Sequence, residues 1–368
     1  MKILIFGLSI TSSWGNGHAT TYRSLAKALK ARGHELVFFE HDLEWYASNR
    51  DMPEPPFCRV CIYETWKDAL PKVRRHLQDC DVAMVGSYFP DSADAINEVL
   101  ESRVPVKAFY DIDTPITVGK LRAGGAEYLN LKQVGAFDLY FSFTGGPLLN
   151  ELETRFGAQR AVPLYCSFDP EQYRPCPSDQ FACDMSYMGT YATDRQPTIE
   201  RLLCDPARSL PWRKFVVAGP QYPEDLKWPY NVERIIHLEP KFHATFYSSS
   251  RITLNVTRKD MALAGYSPSV RLFEAAACGA TIVSDRWEGI ETFLTPGSEI
   301  LIPESASNVV EYLQEMDESE LRTIGRCARE RVSGEHTAQH RAEEFEQYVN
   351  DVCPLKELES ATPTAESA

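Results

Sequence analysis

Three stretches of this sequence carry residue types that can do chemistry. In the first, Thr257-Arg258-Lys259 follows the apolar run Ile252 to Val256, and Ser267-Pro268 soon after has the pattern of a helix N-cap with proline at the first helical position. Two adjacent cations beside a helix start can clamp a diphosphate, while the plainer alternative is a solvated Arg-Lys pair on a loop. In the helix this cap would open, Arg271 and Glu274 stand three apart and share a face. A carboxylate one turn into such a helix can reach a ribose hydroxyl; the alternative is a surface ion pair with Arg271.

The second stretch is Gly15-Asn16-Gly17-His18, directly before a helical segment. Glycines let the backbone approach a ligand, and the helix start presents unpaired N–H groups. As a dinucleotide fingerprint it fails, because the third small position is Thr20 and the loop is too long, which counts against an NAD-dependent oxidoreductase. We read it as a ligand loop in preference to a flexible turn. The third stretch is Asp111-Ile112-Asp113, after the apolar run Val104 to Tyr110. Such a DxD can hold a metal ion, or turn one carboxylate toward a substrate or positive groups; we read the second, with no metal. His18 joins these aspartates as a candidate for proton transfer, against a purely structural role at its helix start.

These residues need elements to position them. Lys2 to Phe6 reads as a strand, Tyr22, Leu25, Ala26 and Leu29 recur at helical spacing, Gly33 closes that helix, and Leu36 to Phe39 resumes a strand. Apolar runs at Val82 to Val85, Val104 to Tyr110 and Leu139 to Phe143 continue the alternation, which predicts a parallel sheet covered by helices. Prolines 163, 170, 175 and 177 mark a connecting segment from Pro163 to Gln180. Beyond it the alternation restarts, with strands expected at Met185 to Met188, Phe215 to Ala218, Ile235 to Leu238, Ile252 to Val256 and Thr281 to Ser284. Gly189-Thr190-Tyr191 and Gly219-Pro220 then fall at strand ends. The expected division is a domain over 1–165, a second over 166–335, a helix over 336–353 and a flexible tail over 354–368.

The 368 residues suit two domains, and 43% hydrophobic with 24% charged residues is ordinary globular composition. A formal charge of −14 opposes nucleic acid and anionic membranes, so an anionic ligand needs locally placed cations. No apolar run approaches the ~20 residues of a membrane span, and Met1 to Gly7 is too short for a signal peptide. Ten scattered cysteines fit a reducing cytoplasm. Cys58 and Cys61 form a lone CxxC without the second pair a zinc site needs, and His336 and His340 lack the glutamate of a zincin, with Thr337 in its place.

The run from Ser267 through Arg271, Leu272, Phe273, Glu274, Cys278 and Gly279 to Asp285, continued by Glu288-Gly289-Ile290-Glu291 and Pro296-Gly297-Ser298-Glu299, resembles the donor-binding region of the glycosyl transferases group 1. It is most similar to the branch of CgeB-like spore maturation proteins, in which an arginine three residues before the glutamate and a small helix ending in Cys-Gly are typical. The resemblance covers nearly the whole chain.

It implies a GT-B fold, two Rossmann-like α/β domains facing each other across a cleft, with a nucleotide-sugar donor on the C-terminal domain and the acceptor on the N-terminal one. Glu274 would bind the donor ribose, Arg258 and Lys259 the diphosphate, Gly17 would let the first loop approach the donor, and the last helix, over 336–353, would cross back onto the N-terminal domain. Gly15, Asn16, Gly189, Thr190, Gly219, Ser267, Pro268 and Arg271 complete the expected donor site, and His18, Asp111 and Asp113 the catalytic set. One departure stands out: many members of the superfamily carry a second glutamate eight positions before the first, and here that position is Tyr266. The expected activity is a cytoplasmic, retaining, metal-independent hexosyl transfer from a UDP-linked sugar to a glycan, small molecule or protein, with no cofactor besides the nucleotide sugar as co-substrate. A sugar-nucleotide epimerase on the same fold and a non-catalytic maturation or scaffold protein are the alternatives.

Overall fold

Residues 1–15 and 17–353 are described by the structure, a computed structural model, and the chain divides into two units. Unit 1 is Met1–Tyr165 together with the chain from Ala338, and unit 2 is Cys166–Thr337.

In unit 1 the strands β1 (Lys2–Phe6), β2 (Glu35–His41), β3 (Arg59–Tyr63), β4 (Val82–Gly86), β5 (Val106–Asp111), β6 (Leu139–Ser142) and β7 (Ala161–Pro163) form one seven-stranded sheet in the order β3-β2-β1-β4-β5-β6-β7. All its pairings are parallel. The central strand β4 is buried at every residue, as its unbroken apolar run requires when both faces are covered. The helices between strands are α1 (Gly17–Ala31), α2 (Glu44–Ala47), α3 (Trp66–Leu77), α4 (Ser92–Glu101), α5 (Thr114–Arg122), α6 (Leu131–Val134) and α7 (Pro147–Thr154). Helix α1 buries Tyr22, Leu25, Ala26 and Leu29 against the sheet side of the unit, and Gly33, at φ +90°, reverses the chain into β2.

Unit 2 repeats the plan with β8 (Cys183–Met188), β9 (Phe215–Ala218), β10 (Val232–Ile235), β11 (Ser250–Asn255) and β12 (Ile282–Ser284), all parallel, in the order β10-β9-β8-β11-β12. Its helices are α8 (Gln196–Ile199), which runs through a π turn at Glu200–Cys204 into α9 (Asp205–Ser209), then α10 (His243–Ser249), α11 (Lys259–Ala264), α12 (Val270–Ala277), α13 (Ala306–Glu315) and α14 (Glu318–Glu335). Met185, Tyr187, Leu202, Leu203, Phe215, Val217, Ile252 and Leu254 form its core. The last helix, α15 (Ala338–Val352), returns to unit 1: Phe345 packs 5.4 Å from Phe141 of β6, and Glu346 takes a fork of hydrogen bonds from Arg32 at the end of α1. No described helix is long and apolar enough to cross a membrane.

The structure corrects several local expectations. The strand expected at Ile235 to Leu238 is β10, three residues earlier, and it starts at Val232. Two edge strands were invisible to periodicity: β3 mixes exposed and half-buried residues and contains the second cysteine of the CxxC, and β7 is three residues long. The cap expected at Ser267-Pro268 lies two residues on, where Ser269 is the N-cap and Val270 the first helical residue. Ser269 uses its hydroxyl on Asn255 at 2.7 Å instead of on the helix N–H groups.

Candidate functional site

Each sheet reverses its strand order once, between β1 and β4 in unit 1 and between β8 and β11 in unit 2. At such a point the loops leaving the two strands part in opposite directions, and in open α/β sheets the crevice they leave at the carboxyl ends is where ligands bind.

In unit 2 the loop after β8 carries Gly189, Thr190, Asp194 and Arg195, and beyond β11 stand Arg258, in the loop, and Lys259, the first residue of α11. Asp194 ties the two together, accepting from the Lys259 backbone N–H at 2.9 Å and standing 4.0 Å from the Arg258 guanidinium. Both cations are exposed at the mouth of a six-residue helix. Behind them the packing is tight. A side-chain carbon at Gly219, whose φ is +146°, would fall 2.1 Å from Gly189 O, and one at Gly189 would meet Tyr187 Oη at 2.7 Å and Arg271 Nη2 at 2.9 Å. The loops after β8 and β9 therefore touch backbone to backbone, which only glycine permits.

Arg271 is buried, with no surface ion pair available to it. Its Nη1 donates to Asn255 Oδ1 at 3.0 Å, its Nε to Met188 O, and its guanidinium lies 5.0 Å from the centre of the Tyr187 ring. Glu274 is 5% exposed, and burial pushes its carboxyl up to about 7 against the Tyr173 hydroxyl bond and the Arg271 charge. The surface-pair alternative is thereby excluded for both residues. Burial likewise lowers the pKa of Arg195, which lies in the field of Tyr187, Arg271 and Tyr222. Among the described residues, Tyr187 Oη, Arg195 Nε and both polar atoms of the Gln196 amide are buried without a hydrogen-bond partner. Such groups are costly unless something polar meets them. Arg234 stacks between Tyr222 and Trp228, 3.9 and 4.6 Å from their ring centres, and Tyr222 Oη donates to Gly189 O at 3.2 Å. Ser267 is buried and Pro268 O accepts from Cys166 Sγ at 3.4 Å, so these two shape the approach to α12 without capping it.

In unit 1, His18 on the first turn of α1 and Tyr88 in the loop after β4 meet across the β1–β4 switch point, with ring centres 5.5 Å apart. Tyr88 holds a left-handed backbone at φ +62°, a conformation that costs a bulky residue free energy and gathers at functional loops. Among the described residues two other non-glycines share this conformation, Gln221 in the loop after β9 and Tyr266 in the loop after α11. Tyr266 donates its N–H to Glu288 O at 2.7 Å, and its ring occupies the space beside Gly289 that a side chain would need. Burial lowers the His18 pKa, opposed by the charge of Asp113.

The DxD pair separates. Asp111 ends β5 fully buried, accepting from Tyr140 Oη at 2.6 Å, Thr117 Oγ1 at 2.8 Å and the Asp113 N–H at 3.2 Å, and burial pushes its carboxyl up to about 7. Asp113 is the half-buried residue before α5. Asp111 is thus a brace for the loop, and Asp113 is the carboxylate near His18. Among the described residues no three His, Cys, Asp or Glu side chains come together as metal ligands. Gly15, at φ +59°, turns the first loop and Gly17 opens α1; Asn16 lies outside the described residues, as does the expected tail. Sequence reasoning missed Tyr88, Tyr187, Arg195 and Gln196. Arg195 and Gln196 carried a signal, a cation and an amide at the strand-loop-helix step after Gly189; the two tyrosines, inside ordinary apolar surroundings, carried none.

Comparison with solved structures matches this architecture over nearly its whole length. Sucrose-phosphate synthase from Thermosynechococcus elongatus aligns at TM-score 0.69 and 14% identity over 98% of this chain and 100% of that one. Anabaena HepE in complex with UDP-glucose aligns at 0.68 and 13% over 95% and 100%. The fold is GT-B. A third match to this GT-B chain is an alpha-glucosyltransferase in complex with UDP-glucose and DNA containing an abasic site, at TM-score 0.69 and 14% identity over 95% and 99%. Residues 195–347 match the family model described as glycosyl transferase-like, which spans α8 to α15 and includes Arg258, Arg271 and Glu274. No curated protein matches the sequence.

Proposed function

We propose that this chain is a glycosyltransferase that takes a hexosyl group from a UDP-linked donor held in unit 2 and passes it to a hydroxyl of an acceptor held in unit 1, without a metal ion and with retention of configuration. The observation that carries the reading is the β8–β11 switch point, where Arg195, Arg258 and Lys259 gather beside loops after β8 and β9 that glycine packs backbone to backbone. The glycosyl transferase-like match over residues 195–347 supports it, as do the UDP-glucose complexes of two structural neighbours.

In the reaction the bond from the anomeric carbon to the β-phosphate oxygen breaks, the bond to the acceptor oxygen forms, and the acceptor proton passes to the departing UDP. Positive charge grows on the sugar ring while negative charge grows on the diphosphate, so holding the diphosphate is the larger electrostatic task. Arg195, Arg258 and Lys259 are assigned to it. Arg271 fixes the β8 loop, and Glu274 meets the donor ribose. Burial disfavours the charged form of His18, and with Asp113 it orients the acceptor hydroxyl. Asp111 acts only by positioning Asp113.

Within the glycosyl transferases group 1 we assign the chain to the CgeB-like branch, on Arg271 three residues before Glu274 and the Cys278-Gly279 helix end. No disulfide joins the ten cysteines among the described residues, which supports a cytoplasmic setting, and the −14 charge supports an acceptor other than nucleic acid. The test is thermal unfolding with UDP, UDP-glucose, GDP and ADP, each with and without EDTA, since a ligand that binds only the folded state raises its stability. Stabilisation by UDP that survives EDTA is expected. No response to any nucleotide would overturn the reading in favour of a scaffold, and rearranged UDP-sugar without acceptor would make the chain an epimerase.

A further inference from the structure

The loop at the carboxyl end of β1 and the one at that of β2, which winds through the single turn of α2, expose two tryptophans, Trp14 at 39% and Trp45 at 53%, and the chain spends many polar groups on holding them still. Glu40 of β2, fully buried, accepts from Ile10 N at 2.6 Å, Thr11 N at 3.0 Å, Ser9 Oγ at 3.0 Å and the Thr11 hydroxyl. Asp51 takes a two-pronged bond from Arg23, 2.8 Å on each arm, and two more from Ser13, which keep its carboxyl down at about 2. The two loops are also laced directly. Met52 N donates to Thr11 O at 3.0 Å, and Ser12 Oγ donates to Asn49 O at 2.8 Å while accepting from Trp14 N at 3.4 Å. Asn49 Nδ2 donates to Trp45 O at 2.8 Å. Trp14 and Trp45 are therefore joined through Ser12 and Asn49, and a carboxylate with no exposure anchors the assembly to the sheet.

We propose that these two loops form a shelf for a neutral saccharide, with Trp14 and Trp45 as its stacking faces. The proposal rests on the glycosyltransferase reading and names its acceptor as a glycan. An indole offers a flat apolar face to the C–H side of a sugar ring, and the rim here, Ser13, Asp42, Asn49 and Asp51, is polar enough to meet the hydroxyls. A lipid or protein surface would want a contiguous apolar patch, which a polar rim around each indole interrupts. An anionic polymer would want free cations, whereas Arg23 is paired with Asp51 and Arg50 with Asp42 at 2.5 Å.

The experiment is retention of the full chain, with saturating UDP, on a printed array of neutral and sulfated glycans and single-stranded DNA. Thermal stabilisation by UDP is read for every variant. Retention on neutral glycans is expected, falling about tenfold or more in Trp14→Ala and in Trp45→Ala, with Trp→Phe at either position keeping most of it and the UDP response unchanged throughout. No neutral glycan retained, retention only on sulfated glycans or DNA, or alanine variants that bind as the parent does would each overturn the shelf. A parent chain that ignores UDP would instead sink the donor reading, and the array outcome would still decide the shelf.

Discussion

A carboxyl group sealed from water must be either protonated or richly hydrogen-bonded, and Asp111 is poised between the two. Burial raises its pKa to about 7, so the folded state holds the proton more tightly than the unfolded chain does. The stability this gives is full below the ordinary aspartate range and is lost as pH rises through about 7. Asp111→Asn keeps the shape and removes the ionisation. From pH 5 to pH 7 the variant should gain on the parent chain by about 2 kcal/mol, at ~1.4 kcal/mol per pH unit, which denaturant melts at the two pH values would show. A flat difference would mean that Asp111 stays ionised. Arg195 poses the opposite case, a half-buried cation whose Nε is sealed from water without a partner. Arg195→Ala should weaken UDP binding roughly 10- to 100-fold, the loss of one or two charge-assisted hydrogen bonds, and calorimetric titration measures it directly.

At the scale of elements, the loops after β8 and β9 are set by glycine. Gly219→Ala puts a carbon against Gly189 O in a backbone conformation that alanine avoids, so it should cost about 1–3 kcal/mol and abolish the UDP response, read by thermal melts. Helix α14 tests a plainer rule. Its Asp317 and Glu320 exchange cap hydrogen bonds at 2.8 and 2.9 Å, and Asp317→Ala should cost about 1 kcal/mol without touching nucleotide binding. Central elements were legible because burial on both faces or one face leaves a period, as in β4 and α1. Edge strands β3 and β7 were not, since one side of each lies open and length or pattern is lost. The position of Arg258 and Lys259, cations just beyond β11, was legible from type and spacing. What sequence could not give was the burial of Arg271 and Glu274, which depends on Tyr187, Tyr173 and Asn255 arriving from other strands and loops. The cap near Ser267 misled because a Ser-Pro pair satisfies the local rule, while Ser269 was claimed by Asn255 from another strand.

For the molecule as a whole, the decisive feature is that unit 1 is built from both ends of the described chain. Phe345 and Val349 of α15 are buried within unit 1, where Phe345 meets Phe141. Phe345→Ala should therefore destabilise unit 1 by about 3–5 kcal/mol and leave stabilisation by UDP in unit 2 intact, which separate probes of the two units in a denaturant titration would report. On the ribosome this arrangement imposes a wait. Residues 1–165 emerge first, yet their last helix follows only after all of unit 2 has been made, a delay of roughly ten to forty seconds at 5–20 residues per second. During that interval the seat of α15 on α1 and β6 faces solvent as bare apolar surface, a natural landing place for a chaperone on the nascent chain.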